Sequence, residues 1–223
     1  MAKSNLKDLG RRQRRKQETR QQIFQAAMRL FEKKGIFSTT VEEITQAADV
    51  GKGTFFNYFP SKEAILSALA ERQLAVIDQA VEKAEHATTI RPILKEMCKE
   101  LSSGPGRSPI MLRSLFAMAL SNQMLFGLFS RALQTGRSKV ATIIERGQQI
   151  GEVRCDIPAI ELARCFQQAA FGTSFIWATS QPSDLMGWQE RSMDLLWRGI
   201  ATHSESGPQS FNSKSEAAAH HES

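Results

Sequence analysis

Lys52, Phe56, Asn57 and Tyr58 fall within one short run, KGTFFNY, and Gly51 and Gly53 sit beside the cation. A cation, an amide and a phenol next to two glycines suit a groove lined with phosphates and base edges. Phe55 and Phe59 are four apart, share one face of a helix and belong in a core. That leaves Lys52, Phe56, Asn57 and Tyr58 pointing outward. The chemistry is recognition, not catalysis. The chain has no Gly-rich nucleotide loop, no G-x-S-x-G elbow and no H-E-x-x-H pair. Glu96 and Glu100, four apart, read as a solvated helix face. No catalytic residue, cofactor or metal site is assigned, and His220 and His221 in the tail have no companion ligands.

The flanking residues place this run on the second helix of a helix-turn-helix. Thr39 with Glu42, and Thr40 with Glu43, both have capping-box spacing, and the pattern leaves open which threonine is the cap. Val41, Ile44, Ala47 and Ala48 repeat as a narrow apolar stripe. Asp49 is expected to end this first helix in the left-handed conformation, with Val50 plugging the turn. Pro60 stops the second helix. Ser61 is expected to cap a third segment with Lys62 in its first turn, where a bound DNA phosphate would offset the misplaced lysine.

The run A-x-V-x-x-G-T-x-F-x-Y-F-x-x-K-x-x-x-L from Ala48 to Leu66, preceded by Gly35, Thr39, Thr40, Val41 and Ile44, resembles the signature of the TetR family of bacterial transcription regulators. The resemblance implies that the pair Thr39–Thr40, the turn and the helix from Lys52 touch DNA. It implies phosphate contacts for Thr40, Lys52, Thr54, Tyr58 and Lys62, and base-facing positions for Val41, Lys52, Gly53, Phe56 and Asn57. Three positions depart from the family pattern. Asp49 stands where glycine is frequent, Gly51 where serine is frequent, and Phe56 where tyrosine is frequent. Phe56 has no hydroxyl, so apolar contact with a thymine methyl is its remaining option.

Charge supports a polyanionic partner. Residues 1–60 carry 12 Lys+Arg against 6 Asp+Glu, and residues 61–223 carry 17 against 17, so the whole net charge of +6 lies at the N-terminal end. No run of about eighteen apolar residues is present, so no membrane span is expected. The charged N-terminus lacks an apolar leader, and a cytoplasmic location is expected. Cys98, Cys155 and Cys165 have neither paired nor metal-ligand spacing and read as reduced thiols, with a Cys155–Cys165 redox pair as the alternative.

The pattern predicts an all-α fold of about nine helices. Residues 1–13 form a basic arm expected to be disordered. Residues 14–61 form a three-helix DNA-binding domain, residues 62–203 a helical ligand-binding and dimerisation domain, and residues 204–223 a disordered tail. The first helix is expected over about Arg15 to Lys34 and a long connecting helix over Lys62 to His86. The helix from Gln123 to Ile150 is expected to be interrupted near Gly136. The last two helices, Ala159–Ser180 and Ser183–His203, carry wide apolar faces with small residues such as Ala163 and Ala170. The resemblance implies that they pair two copies into a homodimer. Met97, Met111, Phe116, Met118, Phe126, Phe129, Phe166, Phe171 and Trp177 either line an apolar pocket or fill the core, and the resemblance favours the pocket. The function expected is a dimeric repressor released from a palindromic double-stranded operator by a small apolar or amphipathic effector. The alternatives are a DNA-binding regulator controlled by a protein partner or by no inducer, and a helical enzyme body on a DNA-binding head.

Overall fold

The computed structural model describes residues 2–103, 108–180 and 184–202, with side chains from residue 12 onward. The described residues form nine helices: α1 (Ala2–Lys34), α2 (Val41–Ala47), α3 (Lys52–Tyr58), α4 (Ala64–Glu85), α5 (Arg91–Ser103), α6 (Pro109–Ser121), α7 (Gln123–Gln149), α8 (Ala159–Thr179) and α9 (Leu185–Ile200). The tail read as disordered, residues 204–223, lies outside the described residues. So do residues 104–107 and 181–183.

α1 is longer than expected. It begins at Ala2, not near Arg15, so the proposed boundary at 13/14 falls inside a helix. The segment is rich in Arg, Lys and Gln, all good helix formers, and no proline occurs before Pro60. An ion pair one turn apart joins Arg14 Nε to Glu18 Oε1 at 3.0 Å. Lys33 and Lys34 occupy the last turn, and Gly35 at φ +84° closes it with its N–H donating to the Phe31 carbonyl at 2.9 Å.

The turn chemistry of α2 resolves the open choice of cap. Thr40 is the N-cap: its hydroxyl accepts from the Glu43 N–H, and the Thr40 N–H donates to Glu43 Oε2 at 2.9 Å. Thr39 is instead fully buried, its hydroxyl donating to the Gly35 carbonyl at 2.7 Å. Asp49 takes φ +51° as expected. The Val50 N–H then reaches the Thr45 carbonyl and the Asp49 N–H the Gln46 carbonyl, the paired bonds of a Schellman ending. Gly51 opens α3 without a side-chain cap, and Phe59 leaves the helix before Pro60.

Two main cores result. Ile23, Phe31, Ile36, Ile44, Phe55 and Phe59 fill the head, joined there by Ile65 and Leu69 of α4 and Met111 and Met118 of α6. The body core joins α4, α5, α7, α8 and α9 around Ile90, Ile143, Ile144, Leu162, Ala163 and Phe166. α7 runs unbroken through Gly136, contrary to expectation. A Cβ at this buried glycine would lie 3.2 Å from Ile77, so its role is to let α4 approach and not to break the helix. The connector after α7 is held by Glu152, whose carboxylate accepts from the Ile90 N–H and the Thr89 hydroxyl, both at 2.6 Å, at the start of α5.

Glu43 gives the head a pH signature. Lys34 foremost, then the Thr40 backbone and hydroxyl, hold its carboxyl down from 4.5 to about 2. A depressed folded-state value means that the folded head binds fewer protons than the unfolded chain, so the contribution is complete above about 4.5 and is lost as pH falls towards 2. The wild type should exceed Glu43→Gln in urea midpoint at pH 7, and the gap should close across that window. Because the pair is exposed, added salt should also narrow it. A constant gap from pH 7 to pH 2.5 would contradict this role.

Candidate nucleic-acid interface and internal cavity

α3 presents its residues as the spacing predicts. Phe55 and Phe59 are buried, with rings 6.0 Å apart, and Arg20 of α1 covers the Phe59 ring at 5.3 Å. Phe56 stands 52% exposed, its ring edge-to-face on Phe55 at 5.3 Å. Lys52, Gly53 and Asn57 are exposed, and Thr54 and Tyr58 are half-buried at the edge of the same surface. A Cβ at Gly51 or Gly53 would meet no atom within 4 Å. These glycines serve no packing purpose; they keep the face low enough for another backbone to approach. Val41 is half-buried at the start of α2, beside the exposed cap Thr40. Lys52 is paired with Glu42, which holds that carboxyl below its ordinary value, and Lys34 is paired with Glu43.

Two expected contacts are corrected by the geometry. Thr39 has no exposed surface, so its side chain cannot reach a ligand. Lys62 precedes α4, which starts at Ala64, two residues later than expected. Its ammonium donates to three carbonyls of the α1–α2 connection: Ile36 at 3.0 Å, Phe37 at 3.3 Å and Thr39 at 2.8 Å. An ammonium has three protons, and this one has three intramolecular acceptors. Lys62 ties the entry of α4 to the helix-turn-helix and has no donor left for phosphate. Sequence spacing does not reveal this, because the acceptors become neighbours only after α1 and α4 pack.

The body holds a partly open cavity of about 300 Å³ between α4, α5, α6, α7, α8 and α9. That volume is at the lower end of the range for small-molecule sites. Met97, Phe116, Phe129, Phe166 and Phe171 line it, as the pocket reading requires. The other four do not. Met111 and Met118 are buried in the head core, Trp177 packs with Ala178 and Leu185, and Phe126 is on the surface, 47% exposed. Methionine and aromatic content marks apolar surface, not which of two adjoining cores receives it. The lining also includes six polar side chains that the pattern did not single out: Gln73, Ser102, Arg137, Gln167, Ser174 and Gln189. One signal was present. Arg137 occupies the α7 face shared by Leu133, Gly136 and Val140, where an apolar residue is the rule. Cys98 borders the cavity too, and burial pushes its thiol up to about 12, so it is an inert small apolar group there.

α8 and α9 leave a second apolar face uncovered. Phe175 and Ile176 on α8 and Leu195 on α9 are exposed, Leu195 by 68%, and Gly172 faces open space. Ala163 and Ala170 are not part of it. Ala163 is fully buried in the chain's own core and Ala170 borders the cavity. No described helix is long and apolar enough to cross a membrane.

Residues 23–69 match the family described as bacterial regulatory proteins, tetR family. A regulator of Streptomyces glaucescens, TcmR, is 41% identical over 73 residues, which cover 31% of this chain and 32% of that protein. The chain thus spans about a third of the length of that relative. The fatty acid metabolism regulator protein of Bacillus subtilis is 26% identical over 186 residues, 80% of this chain and 94% of its own. Among solved structures, the repressor FadR of Thermus thermophilus, in complex with lauroyl-CoA, superimposes with a TM-score of 0.59 at 29% identity, over 85% of this chain and 98% of that one.

The two kinds of lysine in the head should separate by experiment. Lys62→Ala leaves three carbonyls short of a partner, and a loss of about 1–3 kcal/mol of stability is expected. Below its unfolding temperature, however, this variant should keep the salt dependence of duplex binding. Lys52→Ala should reduce the slope of log K against log salt by about 1 and leave the thermal midpoint within about 2 °C, since exposed pairs contribute little. Calorimetry and binding titrations over 50–200 mM salt check both; the reverse assignment of effects would refute it.

Proposed function

We propose, for a chain that belongs to the TetR family of bacterial regulatory proteins, that it acts in the cytoplasm as a homodimeric transcriptional repressor. Two copies of α3 read a palindromic operator, and a small apolar or amphipathic effector in the body cavity releases them. The observation that carries this reading is one continuous arrangement. An outward-facing Lys52–Gly53–Phe56–Asn57 surface stands on a head whose core is completed by α4 and α6, and both helices also wall the cavity.

Lys52, Gly53, Phe56 and Asn57 face the base edges, with Val41 at the margin. Asn57 supplies an amide of the kind that pairs with adenine in the major groove, and Phe56 supplies an apolar surface for a thymine methyl. Thr40, Thr54 and Tyr58 supply hydroxyls to phosphates. The mainly basic segment of α1, including Arg12, Arg14, Arg15 and Lys16, adds contacts without sequence preference. The uncovered α8–α9 face joins two copies as an intermolecular four-helix bundle. Dimeric symmetry then sets the two recognition helices about 34–36 Å apart, one turn of the duplex.

Selection of bound fragments from genomic DNA, followed by footprinting, tests the reading directly; a two-fold symmetric site is expected. Leu195→Glu combined with Ile176→Glu should yield a helical monomer with operator affinity reduced at least a hundredfold. Dimeric behaviour of that double variant in sedimentation would disprove the α8–α9 interface. Operator affinity unchanged in a proven monomer would disprove paired recognition.

A further inference from the structure

Among the described residues that line the cavity, Arg137 is the one charged side chain. Its Nε is buried and has no hydrogen-bond partner among the described residues. It takes part in none of the ion pairs found there. No aspartate or glutamate among the described residues lines the cavity.

The other polar groups of the wall are largely spoken for. Gln189 Nε2 donates to Ser174 Oγ at 3.0 Å, Ser174 donates to the Ala170 carbonyl at 2.9 Å, and Ser102 meets the Gln189 side-chain oxygen. Gln167 Nε2 donates to the Leu133 carbonyl at 2.8 Å, one turn before Arg137 on α7. Gln73 adds a neutral amide, which favours neither sign of charge.

A guanidinium stays protonated under all ordinary conditions. Arg137 is half-buried, and its Nε is the part withdrawn from solvent; a buried polar N–H is costly unless an acceptor meets it. A buried N–H donor left without a partner needs an explanation in terms of what occupies the site. Among the described residues the wall offers this N–H no carboxylate, and an anionic group on an occupant would supply the acceptor it lacks.

We propose that the effector is an amphipathic anion: an apolar body filling the space between α4, α6, α7 and α8, and an oxyanion group received by the Arg137 guanidinium. This rests on the reading of the cavity as the effector site. It excludes cationic amphiphiles, which would leave Arg137 unpaired and bring a like charge beside it. Neutral ligands of the same shape bind, but without the charge-assisted hydrogen bond that fixes orientation.

Two fluorescent probes with one apolar skeleton test this. 8-Anilinonaphthalene-1-sulfonate carries an anion and N-phenyl-1-naphthylamine does not. Both should bind the full-length wild-type chain and be lost on cavity filling by Ala170→Trp. Arg137→Met should raise the Kd of the sulfonate at least tenfold and that of the neutral probe less than twofold, while Arg137→Lys should restore most of the sulfonate affinity. Circular dichroism establishes that the variants are folded. Should Arg137→Met not fold, wild-type titrations take its place: the sulfonate must displace the neutral probe from the cavity and dodecyltrimethylammonium must not. Sulfonate affinity indifferent to Arg137, or displacement by the cation, overturns the anion preference and leaves the cavity reading standing. If the wild type binds neither probe, or Ala170→Trp retains both, the cavity reading falls and the anion preference falls with it.

Discussion

The head cannot close its own core. Three helices, two of them only seven residues long, bury too little apolar surface to stand alone at this size. The deficit is met from outside: Ile65, Leu66 and Leu69 of α4, Met111 and Met118 of α6 and Leu125 of α7 pack with Phe31, Ile44, Phe55 and Phe59. Polar ties reinforce the same seam. The Ser108 hydroxyl donates to the Glu32 carbonyl at 2.6 Å, and the Lys62 ammonium gathers three carbonyls beyond the end of α1. Gly35 permits the closest approach, since a Cβ there would come within 2.5 Å of the Ser114 hydroxyl. The position of α3 is therefore set by the body as much as by the head.

The same borrowing joins the cavity to the head. Leu66 and Leu69 of α4 belong to the head core and also line the cavity. On α6, Met111 and Met118 point into the head while Leu112, Phe116 and Ala119 line the cavity. Close-packed interiors do not stretch continuously. A molecule that wedges α6 away from α8 must either leave the Arg113 bond to the Ala178 carbonyl, 2.8 Å long, or carry α8 with it. Through Gly35 and Ser108, it also moves the end of α1. α4 had been the natural connector from sequence, because it is long and spans both halves. The contacts give α6 a share too, since its N-terminal half is tied to α1 through Ser108 and to α8 through Arg113. Coupling still requires that the occupant prefer one arrangement over the other, since equal affinity shifts nothing.

What the sequence disclosed follows the range of the forces involved. Local devices were legible residue by residue: the capping-box spacing at Thr40–Glu43, the left-handed Asp49, the stop at Pro60, and the inward Phe55 and Phe59 against outward Phe56. Each depends on neighbours within about five positions. Two side chains were not legible as inward. Thr39 bonds the Gly35 carbonyl only four positions back, but its full burial depends on packing that no local pattern shows. Lys62 resembled a free surface group because its acceptors, Ile36, Phe37 and Thr39, lie 23 to 26 positions away. Met111 and Met118 were correctly apolar but joined the neighbouring core. Arg137 does not stand out in the sequence, because one charge within a long amphipathic helix is ordinary and only its register against Leu133, Gly136 and Val140 distinguishes it.

In the head, the lysines nearest α2 and α3 are matched by carboxylates. Glu42 and Glu43 sit in the first turn of α2, where the helix dipole favours them. They hold Lys52 and Lys34 in place before any partner arrives. Such exposed pairs contribute little to stability, so exchanging Glu42 for a phosphate as the partner of Lys52 costs little. The carboxylate that loses its lysine then stands next to a polyanion. That repulsion is smallest where the bases, not the backbone, lie opposite α2. Under the proposed function, the acidic turn would oppose a docking that presses α2 onto phosphates and would favour one in which α3 lies deepest in the groove. On this account Lys52 supplies attraction and Glu42 supplies orientation, and the head needs both.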